Sequence, residues 1–120
     1  MPRLLPVLAV IGSTAMLAAG CGGGDGGGGT AQTLAPGDAI GMKGLHFKPD
    51  HAQVPVGQKI TWRNDESVPH DVVADSGADF QSKSFGKDGT YTFTPTKAGT
   101  IRYECTLHPG MDGTIDVVGK

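Results

Sequence analysis

Three side chains able to bind a soft metal ion stand close together near the C-terminus. In Tyr103-Glu104-Cys105-Thr106-Leu107-His108-Pro109-Gly110-Met111-Asp112-Gly113 a thiol, an imidazole and a thioether recur as Cys-x-x-His-x-x-Met. Ile101 and Tyr103 alternate with Arg102 and Glu104, so a period-two pattern turns Cys105 inward at the end of a strand. A further strand is expected from about Gly113, where Ile115 and Val117 alternate with Thr114 and Asp116. His108 and Met111 then lie on the short loop between the two strands, and three donors from one tight loop can converge on a point. A fourth must come from elsewhere. His70, which follows Pro69 and begins the alternating run His70, Val72, Ala74, is the candidate. One thiolate and two imidazoles in a plane, with a weak axial thioether, is a donor set suited to a copper ion that passes single electrons. Cu(I) favours soft sulfur and few ligands, Cu(II) favours nitrogen, and this mixed set serves both, so little has to move when an electron arrives or leaves.

Each residue alone has a plainer role. Cys105 could be an inert buried cysteine, His108 a loop residue and Met111 core. Zinc is the main rival metal, but it wants a fourth good ligand, and thioether is a poor one. A dinuclear copper site needs a second cysteine in the loop, and there is none. A copper oxidase or nitrite reductase needs further centres built from His-x-His motifs, also absent, so no enzyme is expected. A copper storage or delivery protein with the same ligand set is the alternative to an electron carrier; it would give Cu(I) up to a competing apo-protein. His46 and His51 flank Phe47-Lys48-Pro49-Asp50 and read as strand or turn residues. Met42 reads as core or edge, Trp62 as a core aromatic, Asn64 as a turn or loop brace, and Asp65-Glu66 as a solvated acidic pair.

The elements that position these donors read as short strands. Ile60 and Trp62 alternate with Lys59, Thr61 and Arg63, and Tyr91 and Phe93 with Thr90, Thr92 and Thr94. No stretch holds a helical period. Turn signals separate the runs: Lys48-Pro49-Asp50, Pro55-Val56-Gly57, Asp75-Ser76-Gly77, Lys87-Asp88-Gly89, Lys97-Ala98-Gly99 and His108-Pro109-Gly110. Strands this short and evenly spaced predict a β-sandwich or barrel.

The 120 residues allow one domain. Residues 1–20 have the layout of a secretory signal: Arg3, an apolar run from Leu4 to Ala19, then small residues before Cys21. Leu17-Ala18-Ala19-Gly20-Cys21 resembles a bacterial lipobox, with Ala18 where leucine is usual, and implies lipid on Cys21. Residues 21–37, rich in glycine, form a flexible tether, and residues 38–120 the folded domain. Lipid on Cys21 leaves Cys105 as the one free thiol of an exported domain, which usually means metal or redox chemistry. The net charge of −2 becomes one unit more negative without Arg3. It offers neither a basic patch for nucleic acid nor a polybasic arm for a membrane surface.

Taken together, the short Cys-x-x-His-x-x-Met loop, Lys59-Ile60-Thr61-Trp62-Arg63-Asn64, Ser67-Val68-Pro69-His70, Tyr91-Thr92-Phe93-Thr94, Ala98-Gly99-Thr100 and Gly113-Thr114-Ile115-Asp116-Val117 resemble the small cupredoxins of the amicyanin type. The resemblance runs over about residues 39–118. It implies an all-β Greek-key sandwich or barrel of about eight strands with one copper ion at one end, held by His70, Cys105, His108 and Met111. Cys105 would carry the covalent Cu–S bond, His70 would be the buried imidazole, His108 the exposed one, and Met111 the weak axial ligand. Val68, Pro69, Leu107 and Pro109 would form a small apolar rim that meets a protein electron donor and acceptor transiently. The implied protein is a monomer, exported and lipid-anchored at the outer face of the cytoplasmic membrane. Two residues depart from the family. Asp71 stands where Asn commonly ties the ligand loops together; it can accept from a backbone N–H or from the Thr106 hydroxyl but cannot donate. Gly110 replaces a large apolar residue, which thins the rim, so amicyanin's own partner is not carried over.

Overall fold

A computed structural model describes residues 30–119. The expected signal at 1–20, Cys21 and the first part of the tether lie outside the described residues. Nine strands and no helix are found among those described: β1 (Gln32–Thr33), β2 (Ala39–Lys43), β3 (His46–Lys48), β4 (His51–Pro55), β5 (Ile60–Asn64), β6 (Val73–Ser76), β7 (Thr90–Phe93), β8 (Gly99–Glu104) and β9 (Asp112–Val118). They form a five-stranded sheet in the order β1-β4-β9-β8-β6 and a four-stranded sheet in the order β3-β2-β5-β7.

Alternation explains the packing. Ile60, Trp62 and Asn64 of β5 are buried, as are Ile101 and Tyr103 of β8 and Gly113, Ile115 and Val117 of β9. The inward faces meet in one core that also takes Ile40, Met42, Phe47, Val54 and Phe80. Trp62 spans the two sheets, its ring centroid 5.4 Å from that of Tyr103, edge to face. Tyr103 also meets Phe47 at 4.7 Å. Full burial of each large apolar side chain stabilises by about 1.5–3 kcal/mol. Tyr103 sits opposite Gly113 in the β8–β9 ladder. A Cβ at Gly113 would come within 2.9 Å of the ring's Cε1, so the close approach of these strands requires glycine there.

The structure adds to the expected outline in three places. The count is nine rather than about eight. The ordered fold also begins before residue 38: β1 pairs in parallel with β4. Leu34, within the segment expected to be tether, is 3% exposed in the core, and its N–H donates to the Gln53 carbonyl at 3.0 Å. One buried leucine and the pairing of two exposed strand residues with β4 hold that stretch in place. Finally, the run starting at His70 becomes strand only from Val73. His70 itself forms an isolated bridge with Phe85, and Asp71 turns inward rather than alternating outward.

The β8–β9 pair is what places the loop that carries Cys105, His108 and Met111. Its antiparallel register runs to Glu104 opposite Asp112. The strand ends therefore lie side by side, and residues 105–111 must close a tight connection between them.

Candidate metal centre

The closing loop is built from two backbone bonds. The Cys105 N–H donates to the Met111 carbonyl at 2.9 Å, continuing the ladder by one step, and the Met111 N–H donates to the His108 carbonyl at 3.1 Å. His108-Pro109-Gly110-Met111 is thus a β-turn with Pro at its second position and Gly110 at φ 90°, the pattern of a type II turn. Gly110 is there because a side chain at that φ would be strained. Cys105 is 1% exposed and Met111 2%, while His108 is half-buried.

His70 arrives from the other sheet's side, held by paired backbone bonds with Phe85 of 3.1 and 2.8 Å. Asn64, fully buried at the end of β5, braces the loop that carries it. Its amide donates to the Val68 and Phe85 carbonyls at 2.8 and 3.0 Å, and its carbonyl accepts the Glu66 N–H at 2.9 Å.

His70, Cys105 and His108 converge. The Cys105 Sγ lies 3.6 Å from Nδ1 of His70 and 3.6 Å from Nδ1 of His108, and the three donor atoms lie within 4.8 Å of one another. Bonds of about 2.3 Å to thiolate and about 2.0 Å to imidazole, as for a first-row metal, put S and N roughly 3.7 Å apart at 120°. The two sulfur–nitrogen spacings therefore fit one ion bound by the thiolate and both imidazoles. Among the described residues no other His, Cys, Asp or Glu joins this group. A tetrahedral zinc site would lack its fourth strong ligand, whereas a soft, low-coordinate ion such as copper suits the set.

The other residues singled out in the sequence fall into place around it. Asp71, 8% exposed, accepts the Thr106 N–H at 2.6 Å and the Thr106 hydroxyl at 2.5 Å. The residue after His70 is thereby joined to the residue after Cys105. Val68 and Leu107 are 38% and 46% exposed, and Pro69 and Pro109 are exposed beside them in sequence. His46 is exposed on β3. His51 pairs with Asp116 at 2.8 Å, far in the ladder from Cys105. Met42 is core.

Glu66 corrects the expectation of a solvated acidic pair. Its Oε2 lies 2.7 Å from Nε2 of His70, and the carboxylate also accepts the N–H groups of Gly44 at 3.0 Å and Leu45 at 3.1 Å. Desolvation pushes its carboxyl up, but the bonds from His70, Leu45 and Gly44 outweigh this and hold it below the usual range. Asp65 behaves more as expected: partly exposed and bonded to Arg63 at 2.6 Å, it is held low by that hydrogen bond. Leu45, at 44% exposure in the β2–β3 turn, is a further apolar surface residue near the site. No local signal marks either residue, because they meet each other across more than twenty positions of sequence. On the flank of the site the neighbouring Asp75 carboxylate raises the Glu104 carboxyl, with further raising from the Asp112 and Asp71 charges.

Comparison with known proteins points the same way. Residues 37–118 match the family model described as copper binding proteins, plastocyanin/azurin family. The chain is similar to plastocyanin from Sambucus nigra, 37% identical over 88 residues covering 63% of this chain and 85% of that protein. It is also similar to amicyanin from Paracoccus denitrificans, 35% identical over 77 residues, covering 61% of this chain and 59% of that protein's length. Among solved structures, a mutant amicyanin in its reduced Cu(I) form at pH 4 superposes with a TM-score of 0.63 at 31% identity, covering 70% of this chain and 85% of that one.

Proposed function

The chain belongs to the plastocyanin/azurin family of copper-binding proteins, and from that premise we propose that it is a type 1 copper protein carrying single electrons between protein partners outside the cytoplasm, without catalysing a reaction of its own. The observation that carries this reading is the convergence of one thiol and two imidazoles at spacings that fit one bound ion. His70, Cys105, His108 and Met111 would hold the copper ion, which would supply one-electron exchange between Cu(I) and Cu(II).

The protein's own residues do the rest by holding still. Cys105 contributes its sulfur from the end of β8, where burial excludes water. His70 is fully buried and presents Nδ1 to the site, while Nε2 faces the Glu66 carboxylate at 2.7 Å. Asp71 and Thr106 clamp the two ligand-bearing segments together, so neither drifts when the ion's charge changes. The backbone bonds between Cys105, His108 and Met111 fix the loop in the same way. A rigid donor set keeps reorganisation small, which is what rapid electron exchange requires. His108 is the least buried of the three convergent ligands and lies between Leu107 and Pro109, so electrons enter and leave past its ring edge. Val68, Pro69, Leu107 and Pro109 form a small apolar rim suited to brief docking.

Residues 1–20 act as an export signal and Cys21 as the lipidated anchor. The glycine-rich stretch after Cys21 acts as a tether that lets a monomeric domain reach partners at the outer face of the membrane. The test is repeated oxidation and reduction of the copper-loaded protein in the presence of a competing Cu(I)-binding apo-protein. A carrier of electrons retains its copper through the cycles; transfer of the ion to the competitor on reduction would instead make this a copper storage or delivery protein.

A further inference from the structure

We propose that the end of the domain carrying Cys105, His108 and Met111 is turned toward the membrane, and that its exposed apolar side chains dock a protein seated in the same bilayer rather than one free in solution. The inference rests on the reading of Cys21 as the lipidated anchor and deepens it by stating which face the anchor presents. β1 and β9 both run parallel to β4, so all three strands begin at the same end of the sandwich. β9 begins at Asp112, the residue after Met111. The chain from Cys21 therefore enters β1 from the end that holds the site. Register gives the distance. Gln32 lies level with Ala52, and Ala52 with Ile115. Ile115 lies about 13 Å along β9 from Met111, and β1 stands about 10 Å from β9 across β4, so Gln32 and Met111 are about 16 Å apart. The entry point is held to the fold. The Leu34 N–H donates to the Gln53 carbonyl at 3.0 Å, the Gln58 side-chain amide donates to the Leu34 carbonyl at 2.9 Å, and the Leu34 side chain is in the core.

Cys21 precedes Gln32 by eleven residues, a length that spans at most about 40 Å. To set the far end of the sandwich against the bilayer, the chain would have to run along the β1 edge past Leu34 before turning into the strand. That detour uses up length and removes arrangements of the chain. With the site's end toward the bilayer no detour is needed, and conformational entropy favours that orientation. The same limit keeps the site near the surface, within reach of a membrane protein and crowded for a soluble one. The exposed surface suits such a contact. Among the described residues the exposed large apolar side chains are Leu45, Val68, Leu107 and Val118. Leu45 is held to Glu66, Val68 stands two residues before His70 and Leu107 two after Cys105, so only Val118 marks the far end. Lipid itself is the poorer occupant. Glu104 and Asp112 face each other where β8 and β9 reach the site, with Asp71 and Asp75 close by, and anionic headgroups repel that flank. An apolar protein surface meets the rim without that penalty.

Two measurements on the full-length lipidated protein test this. The first is methyl NMR of the Cu(I) form on phosphatidylcholine–phosphatidylglycerol bilayer discs that carry a nitroxide on the headgroup. The signals of Val68 and Leu107 should broaden severalfold more than that of Val118. Equal broadening, or stronger broadening at Val118, would overturn the inference and leave the anchor standing. A protein with no lipid on Cys21 by mass spectrometry would refute the anchor and the inference with it. The second moves the anchor to the far end: Cys21→Ala with a membrane-spanning helix fused after Lys120. In washed membranes of the cells that make the protein, freed of soluble proteins, the reduced wild type should pass its electron on. The inverted chain should do so at least about tenfold more slowly, because its geometry forbids engagement, while reacting with dissolved ferricyanide at the wild-type rate. Equal rates in the membranes, or a wild type that exchanges electrons only when soluble extract is returned, would overturn the partner's place in the bilayer.

Discussion

Replacing Asp71 with alanine should loosen the join between the segments that carry His70 and Cys105 by a predictable amount. Asp71 accepts two bonds from Thr106, at 2.6 Å from the backbone N–H and 2.5 Å from the hydroxyl. A hydrogen bond to a charged group contributes about 1.5–3 kcal/mol when fully protected. Asp71 is 8% exposed, but Thr106 is exposed, so water takes over part of both bonds once the carboxylate is gone. The net loss for Asp71→Ala is therefore about 2–3 kcal/mol, less than the sum of two protected bonds. Asp71→Asn should behave differently. Its carbonyl still accepts the Thr106 N–H, and its NH2 donates to the Thr106 hydroxyl, which can accept. Only the charge is lost, at a cost under about 1 kcal/mol. Urea denaturation of the copper-free protein measures both, with the midpoint shifting and the slope unchanged. Thermal unfolding should fall by about 8–24 °C for the alanine variant, at 4–8 °C per kcal/mol for a domain of this size. An alanine variant within about 0.5 kcal/mol of wild type, or an asparagine variant as unstable as the alanine one, would refute the clamp.

Met111→Leu should retain copper and raise its potential, since an apolar contact helps Cu(II) less than a thioether does; voltammetry showing a fall, or loss of the ion, would remove Met111 from the ligand set. Gly113→Ala should destabilise by about 1–3 kcal/mol by overpacking, because the new Cβ meets a Tyr103 ring wedged between Phe47 and Trp62; denaturation near wild type would mean that Tyr103 can move aside. Cys21→Ala should release the protein from the membrane fraction with its visible spectrum unchanged, and a variant still wholly membrane-bound would show that something other than lipid on Cys21 holds it.

Much of the scaffold could be read from period-two alternation where large apolar residues mark it. Ile60 and Trp62, Ile101 and Tyr103, and Ile115 and Val117 carry the inner faces of β5, β8 and β9. The loop from Cys105 to Met111 was legible because its donors are close in sequence and its turn is encoded locally by Pro109 and Gly110. What escaped was non-local or weakly marked. In β4 the inward residues are only Ala52 and Val54, set among His51, Gln53 and Pro55, and its partners β1 and β9 pair with it in parallel. Leu34 looked like part of a glycine-rich lead because nothing nearby shows that a single leucine reaches the core. Asp71 breaks the alternation after His70 because Thr106, on another loop, draws it inward. Glu66 resembled any surface acid beside Asp65; only the folded β2–β3 turn brings Gly44 and Leu45 to it.

The central claim, that Cys105 binds copper as a thiolate in a trigonal site with His70 and His108, is tested most directly by the visible absorption spectrum of the copper-loaded protein and of its Cys105→Ser variant. The wild type should show an intense thiolate-to-copper band toward the red, giving a blue solution, and the serine variant should lose that band while remaining folded. A wild type with only weak absorption, or a serine variant that stays blue, would contradict the account.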